Sequence, residues 1–211
     1  MVKPLLKLTE SLRERNYRVA LDLALQMHSR MPDNPYLLRL IADLYGILAR
    51  MSTLGQEGWN LEEEAIRWGK RAVRVAPEIG WLWAALGWDS ELHLDHEQAC
   101  RAFRRALQCD SCCIEALRGL ASLWDLPENE GERWITHEEA VACLKRIVEL
   151  EHRDPGPAIH WLVRELRAMG RYEEARNYII RALLHFHPPE SNVVEEFVAI
   201  LLEEKPDGRG P

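Results

Sequence analysis

An alanine that returns five times limits most strongly how this chain can fold: Ala20, Ala65, Ala99, Ala140 and Ala175 each stand early in an apolar-periodic stretch. Their contexts are alike, reading Tyr17-Arg18-Val19-Ala20, Glu62-Glu63-Glu64-Ala65, His96-Glu97-Gln98-Ala99, His137-Glu138-Glu139-Ala140 and Tyr172-Glu173-Glu174-Ala175. The intervals are 45, 34, 41 and 35 residues, so two match a repeat of about 34 and two exceed it by about 11 and 7. Such a period on helical apolar spacing predicts stacked helix pairs, with the added residues in loops. Pro32 and Pro77, each 12 residues after its alanine, stand where a second helix must stop.

The third unit carries the sharpest pattern. Trp83, Leu86 and Gly87 give W-x2-L-G, Ala99 and Phe103 give A-x3-F, and Ala106 follows. Small residues at 87, 99 and 106 let two antiparallel helices approach, while Trp83, Leu86 and Phe103 fill the space between neighbouring pairs. This unit resembles the tetratricopeptide-repeat (TPR) family, departing from its pattern at Ser90, where Tyr is usual, and at Ser111, where Pro is usual. Gly170-Arg171-Tyr172 is similar to the family's turn between its paired helices.

The resemblance implies an all-α, right-handed α-solenoid of about five helix-turn-helix repeats plus a C-terminal capping helix. The units are expected over residues 1–34, 35–79, 80–113, 114–155 and 156–189, with the capping helix over 191–204. Val194, Phe197, Val198 and Leu201 form that helix's apolar stripe, as the end of a repeat stack requires. All of 1–204 is read as one domain, and the Gly/Pro-rich 205–211 as a disordered tail.

In the family the first helix of each pair lines a concave wall. Carried onto this sequence, those positions are Leu38, Ala42 and Tyr45, then Trp81, Ala84, Trp88 and Glu91. Further along they are Glu115, Arg118, Ser122 and Asp125, then His160, Arg164 and Arg167. Trp81 and Trp88, seven residues apart, share a helical face. With Arg118, Arg164 and Arg167 they imply a groove, aromatic at its middle and basic toward its C-terminal half, for a peptide or helix of a partner protein. The expected function is a protein-binding scaffold or adaptor; the alternative is self-association as a homodimer.

Two segments depart from the repeat: Leu54-Gly55-Gln56-Glu57-Gly58-Trp59-Asn60, and residues 127–134 ending in Trp134. Both are read as long turns. Each Trp either folds back on its own helix pair or stands at an edge as a partner anchor, and its exposure separates the two.

Composition narrows the remaining classes. A net charge of -7 argues against nonspecific grip on nucleic acid or an anionic membrane, though local basic patches are compatible with it. No stretch has the apolar length of a membrane helix, and Met1–Lys7 does not lead into a cleavable signal peptide. Five cysteines, an odd number, suit a reducing compartment, so a cytoplasmic location is expected. The cluster Cys109-Asp110-Ser111-Cys112-Cys113 contains a C-x2-C half-site that Cys143 or His137 would have to complete for zinc, and a zinc or redox role for this cluster is the minor alternative. No phosphate loop, nucleophile elbow or H-E-x-x-H is present, so no enzyme, cofactor or metal site is expected.

Overall fold

The computed structural model describes residues 2–52, 56–124, 134–151, 156–185 and Ile200. Among them are ten helices: α1 Val2–Arg13, α2 Tyr17–His28, α3 Pro35–Met51, α4 Gln56–Val75, α5 Gly80–Leu92, α6 His96–Cys109, α7 Ile114–Trp124, α8 His137–Leu150, α9 Gly156–Ala168 and α10 Tyr172–His185. No strand occurs among the described residues. The expected capping helix 191–204 lies outside them except for Ile200, which is buried, and the tail 205–211 lies outside entirely. The chain divides into two compact units, residues 1–119 and 120–211, with the boundary inside α7.

In the first unit, α1 packs on α2, α3 on α4 and α5 on α6, and the pairs are joined through α2 with α3 and α4 with α5. The recurring alanines are the reason these helices approach so closely. Ala20 and Ala99 have no exposed surface and Ala65 almost none. α3 buries two faces. Leu37, Ile41, Leu44 and Leu48 join Leu8, Ala20, Leu21 and Ala24 of α1 and α2, while Leu38 joins Ile66, Val73, Leu82, Leu86 and Ala102 of α4 to α6. Each large side chain so buried contributes about 1.5–3 kcal/mol.

Phe103 of α6, fully buried, is held between two glycines: a Cβ on Gly87 of α5 or on Gly119 of α7 would overlap its ring. Trp88 meets the same ring edge-on, with centroids 5.3 Å apart. In the second unit, α9 packs on both α8 and α10. Val141, Leu144 and Ile147 of α8, Ile159, Leu162 and Leu166 of α9, and Ala175 and Ile179 of α10 are among its buried residues.

Three tight turns share one backbone solution. Arg15 (φ 57°), Leu94 (φ 61°) and Gly170 (φ 73°) each adopt the left-handed conformation five residues before the buried Ala20, Ala99 and Ala175. The following N–H reaches back to the carbonyl five residues earlier: Asn16 to Ser11 (2.8 Å), Asp95 to Ser90 (2.9 Å) and Arg171 to Leu166 (2.8 Å). The left-handed residue's own N–H bonds three back, to Leu12, Glu91 and Arg167. Both bonds satisfy carbonyls that the helix end leaves open, as in a Schellman motif. Asp95 then caps α6 by accepting from Gln98 N–H (3.0 Å). α8 opens on a capping box, Thr136 with Glu139, which gives the acidic start at 137–139 a second role besides matching the helix dipole.

The first insertion is not a loop. α3 runs 17 residues against 13 in α5, and α4 begins nine residues before Ala65, whereas α6 begins three before Ala99. Most of the extra length therefore extends two helices. Gly58 permits this, since a Cβ there would stand 2.8 Å from Ser52 Oγ and 3.6 Å from Ala49 O at the end of α3. Of the second segment, residues 127–133 lie outside the described residues, and Trp134 lies within them.

Candidate functional site

Trp81 opens the first turn of α5 and is 45% exposed. Its ring stacks on Tyr36, at the start of α3 and 62% exposed, with centroids 6.0 Å apart and planes at 27°. The two pairs of helices thus present a joint aromatic surface to solvent. Asn34 positions Tyr36 by accepting from Leu37 N–H (3.0 Å), with Pro35 in the first turn of the helix.

The other groove candidates divide. Trp88 is half-buried against Phe103, and its indole N–H is buried with no acceptor among the described residues, so it packs rather than joining Trp81. Leu38, Ala42 and Ala84 are core residues, which corrects the expectation that they line a groove: α3 is covered on two faces, not one. Tyr45 is half-buried against the α1–α3 core, and burial, aided by the Glu64 and Asp22 carboxylates, pushes its hydroxyl pKa up. Arg118 is exposed but belongs to the first unit, whereas His160, Arg164 and Arg167 belong to the second. His160 and Arg167 are half-buried.

The first of the two turn tryptophans does not stand in a loop. Trp59 is on α4, 43% exposed, with its ring 4.1 Å from that of His93 at the end of α5. Glu62 lies 3.4 Å from His93 Nδ1, so this corner is closed by an aromatic contact and a polar one. Trp134 is half-buried in the bend before α8, next to the buried Ile135.

Two polar centres escaped the sequence reading. Arg39 of α3 is buried and bonds Asp89 of α5 and Asp43 of its own helix. Burial works against its charge, but the two carboxylates outweigh it and hold the guanidinium above its usual pKa. In the second unit, Glu165 is 5% exposed and accepts from Trp124 Nε1–H (2.8 Å) and from Arg164 (2.7 and 2.9 Å). His137 stacks on Trp124 at 4.3 Å, and its Nε2 lies 2.7 Å from Glu165 Oε2, outside hydrogen-bond geometry. Arg164, a groove candidate, is thus committed on one side to Glu165. A charge inside an apolar run, as in Leu37-Leu38-Arg39-Leu40-Ile41, was the available signal for the first centre.

All five cysteines are free. Cys113 is buried, which pushes its thiol pKa up, and Cys109 donates to Pro77 O (3.4 Å). No group of three potential metal ligands occurs among the described residues. No helix among them is long and apolar enough to cross a membrane.

Solved structures with this arrangement of helices include TPR proteins. A MamA protein superposes with a TM-score of 0.63 at 18% identity, over 87% of this chain and 92% of that one. TTC0263, a thermophilic TPR protein of Thermus thermophilus, gives 0.55 at 20% identity, over 95% and 98%. YrrB, described as a TPR protein with an unusual peptide-binding site, gives 0.58 at 17% identity, over 94% and 88%. No family model matches the sequence. No curated protein matches it either. The fold is therefore of the TPR type.

Proposed function

We propose that the chain is a non-catalytic protein-binding scaffold whose first unit docks a peptide or helix of a partner across Tyr36 and Trp81. The carrying observation is the exposed stack of these two rings, contributed by the first helices of successive repeats. Stacked, rigid aromatics supply contact area at small entropic cost, which is why such residues dominate binding hot spots. YrrB's peptide-binding site supports the reading by analogy of fold. Arg118, His160, Arg164 and Arg167 are proposed as additional polar contacts in their own units. The five free thiols accord with a reducing, cytoplasmic setting.

The test is affinity capture from the native host's lysate with wild type and a Tyr36→Ala/Trp81→Ala variant of equal helicity. A partner retained by wild type and lost from the variant, then shown to bind directly as a purified protein, is the expected result. Equal retention by both would overturn the assignment of the site. The self-association alternative is read on the same samples, because a mass that rises with concentration would favour a homodimer.

A further inference from the structure

The C-terminal half of α4 and all of α6 after its first two residues are basic in an otherwise acidic protein. Residues 65–75 contain Arg67, Lys70, Arg71 and Arg74 with no acid, and residues 98–109 contain Arg101, Arg104 and Arg105 with none, while the whole chain carries -7. Arg71 is turned away, bonding His28 Nε2 (3.0 Å) and Pro32 O (3.2 Å). The other six are exposed. Ala102 of α6 belongs to one core cluster with Ile66 and Val73 of α4 and with Ala76 just after it, so both helices border the same core.

A cleft of about 360 Å³ runs along the α4 stripe, lined by Arg67, Lys70 and Arg74, to His93 and the α6 cap residue Asp95. Among the described residues Lys70 has no carboxylate partner, and Arg74 donates only to the Lys70 carbonyl (3.2 Å). Arg67 and Arg101 make exposed pairs within their own helices, with Glu64 and Glu97. Such pairs are weak enough to be exchanged for an incoming carboxylate. Of the acids lining the cleft, Asp95 is engaged by Gln98 N–H, and Glu63 lies one turn before Arg67.

We infer that this band on α4 and α6 docks a short acidic segment of a partner protein. Arg67 to Arg74 spans about 10 Å of helix, the length of about three extended residues, so the band matches a few carboxylates. It is too short to follow the closely spaced phosphates of a nucleic acid while the rest of an acidic chain repels them. The band lies on second helices, apart from Tyr36 and Trp81 on first helices, and stands whether or not that pair binds a partner.

The test is fluorescence anisotropy with labelled deca-glutamate on the full chain, at low and physiological salt. Wild type is expected to bind with an affinity that falls as salt rises, and Lys70→Glu/Arg74→Glu/Arg105→Glu to weaken it by about tenfold or more. Tyr36→Ala/Trp81→Ala is expected to bind as wild type does. Should circular dichroism show the charge-reversed variant unfolded, Lys70→Gln/Arg74→Gln carries the test, with a shallower salt dependence expected. The inference is overturned by no binding to wild type, by equal binding to the folded variants, or by tighter binding of a labelled decathymidylate or of phosphatidylserine vesicles.

Discussion

Arg39 and Asp89 join the second helix pair to the third from inside: Arg39 Nη1 stands 2.5 Å from Asp89 Oδ2, and Nη2 stands 3.1 Å from Oδ1. The guanidinium crosses the α4 backbone at Gly69, where a Cβ would lie 3.6 Å from Nη1 and 3.4 Å from Asp89 Oδ2. Both side chains are largely buried, at 6% and 12% exposure, so removing Asp89 leaves the buried Arg39 charge with only the half-exposed Asp43 as partner, and removing Arg39 leaves Asp89 without its guanidinium. Asp89→Asn is expected to cost about 3–5 kcal/mol in urea unfolding. Arg39→Met/Asp89→Leu is expected to recover most of that loss, because it removes both desolvation penalties together. A double variant no more stable than the single one would contradict this account.

Phe103 fills the space that Gly87 and Gly119 leave open, and the pair predicts a size trade. Gly87→Ala is expected to destabilise by about 1–3 kcal/mol through overpacking, read as a lower urea midpoint with unchanged slope. Phe103→Leu alone opens a void and also destabilises. Combined with Gly87→Ala, it is expected to cost less than the sum of the two, since the smaller side chain makes room for the methyl.

Much of this architecture was legible because its signals are local. The alanine spacing, the Trp83-Leu86-Gly87 pattern and the Gly170 turn each reflect a requirement that recurs with the repeat, within a helix pair or between it and the next. What escaped depends on contacts between segments far apart in sequence. Asp89, fifty residues from Arg39, lies in Gly87-Trp88-Asp89-Ser90, where nothing marks it as a partner. Trp81 and Trp88 share a face of an isolated helix, but only Trp88 meets Phe103 of α6. Gly58 reads as a turn residue, and the approach of α4 to Ala49 and Ser52 uses it inside a helix instead. Nothing in Asn34-Pro35-Tyr36 marks Tyr36 as a partner of Trp81, forty-five residues on.

Glu174 gives the second unit an acid-sensitive contact. Its carboxylate pairs with Lys145 of α8 and Arg171, both at 2.5 Å, and these partners hold its pKa below the usual glutamate value, the Lys145 bond most strongly. A depressed folded-state pKa means that the unfolded chain binds more protons in this range. The stabilisation is therefore present above the unfolded value of about 4.3 and is lost as pH falls through the lower folded value. Lys145→Met is expected to flatten this acid limb in thermal melts between about pH 5 and pH 2 while leaving its shape near neutrality unchanged. An unaltered acid limb would show that Arg171 alone suffices.

The three left-handed turn residues make a matched series in which steric room and backbone preference separate. A Cβ at Gly170 would meet nothing within 4 Å, so any cost of Gly170→Ala comes from φ 73° alone. That cost is expected to be about 1 kcal/mol. Leu94, 68% exposed at φ 61°, already bears it and gives up little packing when truncated. Leu94→Gly is thus expected to stabilise the chain, by somewhat less than about 1 kcal/mol after the added unfolded-state entropy of glycine is subtracted. Arg15→Gly, at φ 57°, should behave likewise. Urea unfolding of the three variants checks the series: opposite signs for Gly170→Ala and Leu94→Gly identify backbone conformation as the common cause. Destabilisation by both would mean instead that the Leu94 side chain stabilises its turn by contacts that outweigh the strain of its backbone.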